Sequence, residues 1–282
     1  MIAKEFSLLL CTNGHQSTRP ALEYGVWLAG LLGKTVTLLG IDEDNKYRTD
    51  LEKILSETAV ELENKGISFE QRIEVGHGTD SIARVAHAGN YLTIAGPLGR
   101  PAWRRVVYGR SFRRLLAKVE TPILYVPNTC LPLKRILICV GGLAYAHSLE
   151  HFGLLIAQAT GATITLLHVV EPINLDYPTS KEIHDHLDNI LASDTPQAKN
   201  LRNALTAIRA VGVSVDLKIR HGSIVHEIIK EIELGDYDLI GLGSPYSTKS
   251  LRHLYTPNVT AEVAESVHRP ILAVRMGQSL VD

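Results

Sequence analysis

The sequence predicts an α/β protein of two tandem domains, each a doubly wound, five-stranded parallel sheet. Runs of β-type residues alternate with amphipathic helical segments, and short motifs recur in the same order in both halves. A chain of 282 residues with 45% hydrophobic content also has material for two ordinary cores.

The first copy sets out the elements. Ser7–Thr12 is a short apolar run suited to a buried parallel strand. Ala21–Leu32 carries apolar residues at helical spacing and stops at Gly33, a C-terminal capping residue. Thr35–Ile41 is the second strand. Leu51–Lys65 is a helix with Leu51, Ile54, Leu55, Ala59 and Leu62 on one face. Ser68–Val75 reads as an alternating third strand, Asp80–Ala88 as a helix and Tyr91–Ala95 as the fourth strand. Phe112–Val119 and Pro122–Val126 complete the pattern as helix and fifth strand.

The second copy follows by internal repetition. Within Leu8–Gly14 the stretch from Leu9 onward recurs as Leu137–Gly142, and Thr35–Leu39 as Thr163–Leu167, both 128 positions on. His77-Gly78 matches His221-Gly222 at 144, and Pro122–Val126 matches Pro270–Val274 at 148. Ordered matches with growing offsets indicate a duplication with longer loops in the second copy. The expected domains are 1–128 and 134–282, with a linker at 127–133 and 16 extra residues between Glu171 and Asn200.

Bulk properties exclude several classes. The formal net charge is −1, with +2 over residues 1–133, which gives no electrostatic basis for general nucleic-acid or membrane-surface binding. Three cysteines, Cys11, Cys130 and Cys139, include no CxxC pair and suit a reducing compartment. The short run Phe6–Cys11 is not a signal peptide, and no window reaches a membrane span. The expectation is a cytoplasmic protein.

The stretch from Gly96 to Ser111 carries the chemistry. Gly96, Gly99 and Gly109 follow the fourth strand, and six arginines fall within 100–114. Glycines after a strand let backbone N–H groups approach an anion, and a following helix N-terminus favours negative charge. A plain strand–helix turn with a solvated basic face has the same composition. Ligands of open α/β sheets lie at the carboxyl ends of strands where the order reverses. The glycines and Thr12–His15 border one crevice if strands one and four are neighbours.

Two such copies, each ending in a Pro-Ile-Leu-x-Val strand, resemble the universal stress protein family in tandem form over nearly the whole chain. Members of that family that bind ATP carry G-x2-G-x9-G-[ST] after strand four, and Gly96, Gly99 and Gly109 match its three glycines. Arg110 stands at the Ser/Thr position, with Ser111 one step later. The family's strand-one loop reads Asp-x-Ser, here Asn13-Gly14-His15. The resemblance implies a Rossmann-like, adenine nucleotide α-hydrolase-like fold. It implies a site formed by Thr12, Asn13, Ile41, Gly96, Leu98, Gly99, Arg100, Gly109, Arg110 and Ser111. The ligand is ATP or another adenine nucleotide, with Mg²⁺ only alongside it. The fifth strands are expected to pair the copies as a pseudo-dimer, and a homodimer is compatible with the same resemblance.

The second copy departs further. Gly141 replaces the strand-one acid, Tyr246 adds bulk after Gly243, and Pro257 and Asn258 stand where the third glycine and hydroxyl belong. Proline offers no N–H to a phosphate, so this copy is expected not to bind ATP. Nine of twelve histidines lie in this copy, but neither His147/His151 nor His184/His186 has a third ligand at metal-site spacing. His77 and His221 read as equivalent turn residues. No GxSxG, HExxH or P-loop pattern is present, and no lysine follows the glycines. The expected function is therefore regulatory nucleotide binding by a stress-response protein without catalysis, hydrolysis being at most slow and incidental. The alternative is a nucleotide-free interaction scaffold, favoured by Asn13, Arg110, Gly141 and Pro257.

Overall fold

The structure is a computed structural model that describes residues 5–43, 48–99, 111–141, 146–171, 190–244 and 259–275. Two compact units account for the chain: residues 1–132 with 244–282, and residues 133–243. Elements are numbered along the chain. Unit 1 contains β1 (Ser7–Thr12), α1 (Arg19–Leu32), β2 (Val36–Asp42), α2 (Arg48–Asn64), β3 (Phe69–Val75), α3 (Gly78–His87), β4 (Tyr91–Ala95), α4 (Ser111–Lys118) and β5 (Ile123–Tyr125). Unit 2 follows with β6 (Arg135–Cys139), α5 (Ala146–Thr160), β7 (Thr163–Val170), α6 (Pro196–Ala210), β8 (Val215–His221), α7 (Ile224–Gly235) and β9 (Leu239–Ser244). The chain then contributes α8 (Val259–Ser266) and β10 (Ile271–Arg275) to unit 1.

In unit 1 the strand order is β3-β2-β1-β4-β5-β10. Every pair is parallel except β5 with β10. Unit 2 has the all-parallel order β9-β6-β7-β8. The fold class expected from the sequence is what the chain adopts. The repeat and the compact units divide the chain differently, because the last strand of the second copy is joined by its contacts to unit 1.

Burial follows from residue type. Leu8, Leu9, Leu10 and Cys11 of β1 are fully buried, as helices cover both faces of a parallel strand. Helix α1 begins two residues earlier than the apolar spacing suggests, because Pro20 suits a first helical turn. It ends at Gly33, whose left-handed φ of 60° lets its N–H reach the Ala29 carbonyl. β3 does not alternate as expected. Glu70, Gln71, Arg72 and Ile73 are all exposed, because β3 is an edge of the sheet, and charge blunts an edge against further pairing.

The repeat alignment needs one correction. Gly76 and Gly222 both have positive φ, 136° and 145°, a region open to glycine. Their N–H groups reach Asp42 O and Val170 O, each at 3.0 Å. Gly222 lies 146 positions after Gly76, whereas Val170 lies 128 after Asp42. His77 precedes α3 as its N-cap, and Ser223 does the same for α7. His221 instead ends β8 opposite Val170, as Val75 ends β3 opposite Asp42. His77 and His221 are thus not equivalent, and the difference between 146 and 128 leaves 18 extra residues rather than 16.

The antiparallel β5–β10 pair has a symmetric register: Ile123 with Ala273, Leu124 with Leu272, and Tyr125 with Ile271. Leu272 is the repeat of Leu124 at the offset of 148, so the central residue faces its own duplicate. Leu124 and Leu272 are both buried. Beside them Arg113 of α4 meets Glu265 of α8 at 3.4 Å, and the Arg275 guanidinium donates to the Leu116 carbonyl.

Candidate functional site

β1 pairs with β2 on one side and β4 on the other, so the strand order of unit 1 reverses between β1 and β4. The carboxyl ends of those strands, Thr12 and Ala95, lie side by side, where a doubly wound sheet places its ligand crevice. β1 stops at Thr12 opposite Gly40, whereas β2 runs on to Asp42 against β3. The main chain of Ile41 therefore passes the end of β1 on the crevice side.

The loop after β1 is built by its own short side chains. Thr12 Oγ1 takes the Gly14 N–H at 3.1 Å and meets Thr18 Oγ1 at 2.6 Å. Asn13 Oδ1 accepts the His15 N–H at 3.2 Å, an Asx turn. Gly14 has a φ of 82°, and a Cβ there would lie 2.8 Å from the Leu51 backbone. Only glycine fits that turn.

This loop packs directly on the loop after β4. The Ser17 hydroxyl donates to Pro97 O at 2.5 Å, and His15 Nδ1 lies 2.7 Å from the same hydroxyl. Nδ1 also accepts the Ser17 backbone N–H at 3.2 Å, so the imidazole caps the short turn Gln16–Thr18. A Cβ on Gly99 would overlap the His15 ring, and one on Gly96 would lie 3.0 Å from Ser17 O. Both glycines are thus explained by close approach of the two loops. The imidazole lies on the face of Gly99 where a side chain would be.

The third wall comes from β2 and α3. Glu43, one residue past β2, accepts the Gly78 N–H at 2.8 Å at the start of α3, and Asn13 Nδ2 lies 3.5 Å from its other oxygen. A Cβ on Gly78 would be 2.7 Å from Leu98 Cδ1 and 2.8 Å from Glu43 Oε1. Asn13, Glu43, Gly78 and Leu98 therefore converge. Neighbouring Asp42 is engaged instead by Arg48 at 3.0 Å.

Of the expected site residues, Thr12, Asn13, Ile41, Gly96, Leu98 and Gly99 border this crevice. Ser111 is the first residue of α4. Arg100, Gly109 and Arg110 lie outside the described residues, as do His184, His186, Tyr246, Pro257 and Asn258. Sequence alone reads Glu43 as part of a solvated acidic loop with Asp42 and Asp44 and His15 as the end of the Thr12–His15 loop, and it does not single out Ser17. An acidic residue directly after the second strand of a doubly wound unit was the available signal for Glu43.

Other candidates lie elsewhere. A cavity of about 250 Å³ is lined by Gly33, Lys34, Thr35, Lys65 and Ser68, at the amino-terminal ends of β2 and β3 and opposite the crevice. Among the described residues no group of three metal-binding side chains occurs, and no helix is long and apolar enough to cross a membrane. Burial pushes the Cys11 thiol far up from its ordinary value, and burial with the Glu231 carboxylate nearby does the same to Cys139. Cys11, fully buried, is inert as a nucleophile in the folded protein.

These features define a class, that of duplicated, doubly wound α/β proteins with a crevice at a strand-order reversal. The model of the universal stress protein family matches residues 132–275. A universal stress protein of Synechocystis is 20% identical over 308 residues, covering 95% of this chain and 99% of the relative. A universal stress protein of Archaeoglobus fulgidus has the same fold, with a TM-score of 0.70, 16% identity and 97% of each chain covered. A protein of unknown function from Pseudomonas aeruginosa aligns at TM-score 0.67 and 18% identity, covering 95% of this chain and 92% of its own. This chain belongs to the universal stress protein family.

Proposed function

We propose that this chain is a cytoplasmic stress-response protein that binds ATP or a related adenine nucleotide as a regulatory ligand. Residues 1–128 form the binding domain, and 134–282 form a second domain whose glycine motif is degenerate. The observation that carries the reading is the β1–β4 adjacency, which sets Gly96–Gly99 beside Thr12–His15 at the strand-order reversal. The described residues fit such a ligand: glycine backbones for phosphate, the Asn13 amide and the Ile41 main chain for the base. Arg100, Gly109, Arg110 and Ser111 would add the remaining phosphate contacts, and Mg²⁺ would enter only with the nucleotide.

Bound nucleotide brings a phosphate chain able to transfer, but this chain's residues hold and orient rather than cleave. Efficient phosphoryl transfer needs a positioned base and charge-stabilising groups at the γ-phosphate. Among the described residues the crevice offers backbone amides, the Asn13 amide, the His15 imidazole and a Glu43 carboxylate already engaged by the Gly78 amide. The antiparallel β5–β10 pair supports a pseudo-dimer within one chain. Homodimers remain compatible with that arrangement, and neither nucleic acid nor membrane is a partner in this reading.

A second reading has its own support. His15 already covers Gly99, and Glu43 already holds the Gly78 amide. A crevice filled by its own side chains suits a nucleotide-free interaction scaffold. Mass spectrometry of nucleotide released from the denatured protein, with calorimetric titration of ATP, AMP and cyclic nucleotides, separates the two. Adenine nucleotide in the released fraction, or heat on titration that Gly99→Val removes, is expected. Absence of both eliminates the ATP reading and leaves the scaffold.

A further inference from the structure

The crevice carries an acidic side chain that neither the glycine motif nor the strand-one loop predicts. Glu43 leaves the end of β2 and turns inward, with Oε1 on the Gly78 amide at 2.8 Å and Oε2 3.5 Å from Asn13 Nδ2. Its Oε2 stands beside Asn13, the residue assigned to the base in the proposed site. A carboxylate accepts hydrogen bonds and cannot donate them, and the same is true of an ionised phosphate. A ribose hydroxyl or an exocyclic amine can donate to Glu43, whereas a phosphate at that end would bring acceptor against acceptor. A polar site discriminates most strongly where a mismatched ligand leaves buried groups unpaired.

We propose that Glu43 is the specificity-determining residue of the unit 1 crevice. It selects nucleotides whose ribose end bears hydrogen-bond donors and rejects those phosphorylated there. The proposal rests on nucleotide binding in unit 1 and adds the ligand class: adenine nucleotides with all their phosphates on the 5′ side. Glu43 reads the ligand directly rather than through another residue.

Two ligands with the same base and the same number of phosphates make the comparison clean. ADP carries both phosphates on the 5′ oxygen, and adenosine 3′,5′-bisphosphate moves one to the ribose. Calorimetry on the full chain is expected to give ADP an advantage of about tenfold or more, the scale on which misplaced like charges discriminate. In Glu43→Gln the amide oxygen can keep the Gly78 bond while its NH₂ faces the ligand, so the ratio should fall towards one. Glu43→Asp, which keeps the carboxylate, should preserve the preference. A loss of helix capping alone would weaken both ligands together and leave the ratio unchanged. Equal binding of the two ligands by the unmodified chain, or an unchanged ratio in Glu43→Gln, overturns the proposal while leaving nucleotide binding standing. Binding of neither ligand by the unmodified chain removes the nucleotide reading itself, and this inference with it.

Discussion

The best-defined charged network lies in unit 2, and removing its centre should cost that unit much of its stability. Glu231 on α7 is 1% exposed and accepts from Lys218 Nζ at 2.6 Å, Arg220 Nη1 at 2.9 Å and the Tyr237 hydroxyl at 2.8 Å. Arg220 is also held by Glu227 at 2.7 Å. In Glu231→Ala, Lys218 can turn to solvent and Arg220 keeps Glu227. The fully buried Tyr237 hydroxyl loses this acceptor and is left with the Thr165 side chain. A buried donor deprived of its carboxylate acceptor costs about 1–3 kcal/mol. Glu231→Gln keeps the shape and one acceptor, so it should cost about half as much on the same scale. Adding Tyr237→Phe to Glu231→Ala removes that donor, so the two losses should add to less than their sum.

Acid adds an independent handle. Burial pushes the Glu231 carboxyl up, but hydrogen bonds from Lys218 and Tyr237, with Arg220, outweigh it and hold the group below its ordinary value of 4.5. A depressed folded-state pKa means the unfolded chain takes up the proton first. The stabilisation is therefore complete above about pH 4.5 and is lost as pH falls through the lower folded value. Urea unfolding followed by hydrogen exchange of α7 and β8 amides, at neutral and acid pH, measures both effects. Glu231→Ala within 0.5 kcal/mol (on the order of ordinary surface substitutions) of the parent, or a Glu231→Gln acid limb as steep as the parent's, would refute the reasoning.

Further expectations concern unit 1. Gly99→Ala should displace His15 from Ser17 and cost about 1 kcal/mol, one hydrogen bond's net worth. In a His15→Ala background the same change should cost much less, and a double-mutant cycle by urea titration reads the difference. Deleting residues from 259 onward should leave β5 an uncovered edge with its buried Leu124 open, seen as lowered thermal stability and faster proteolysis of unit 1. Thiol titration of the native chain should find the fully buried Cys11 reporting only after denaturant, whereas the half-buried Cys130 and Cys139 react before it.

Much of the architecture was legible because hydrophobic runs report it directly. Leu8–Cys11 reads as a strand buried on both faces, and it is one. The edge position of β3 was less accessible, since Phe69–Val75 has a strand's residue types but no local sign of which neighbour it lacks. The His-Gly match misled because identical dipeptides outweighed backbone geometry. The conserved demand of the repeat is the positive φ of Gly76 and Gly222. In the crevice the glycine spacing pointed to the right loop, yet the contacts of Gly96 and Gly99 in the structure are with Ser17 and His15. Those contacts join residues about 80 positions apart, and only the parallel pairing of β1 and β4 brings them together.

The register of β5 against β10 has one more consequence. Two identical chains related by a twofold axis would meet in this way, with the central leucine facing its twin. A molecule with one such copy would have to find its partner by collision, and its fold would weaken on dilution. Here the partner is tethered, so the effective concentration is set by the intervening chain and dilution does not matter. Tethering also releases the two strands from having to stay identical, since each is encoded separately. Tyr125 and Ala273, equivalent by repeat yet different in size, record that freedom.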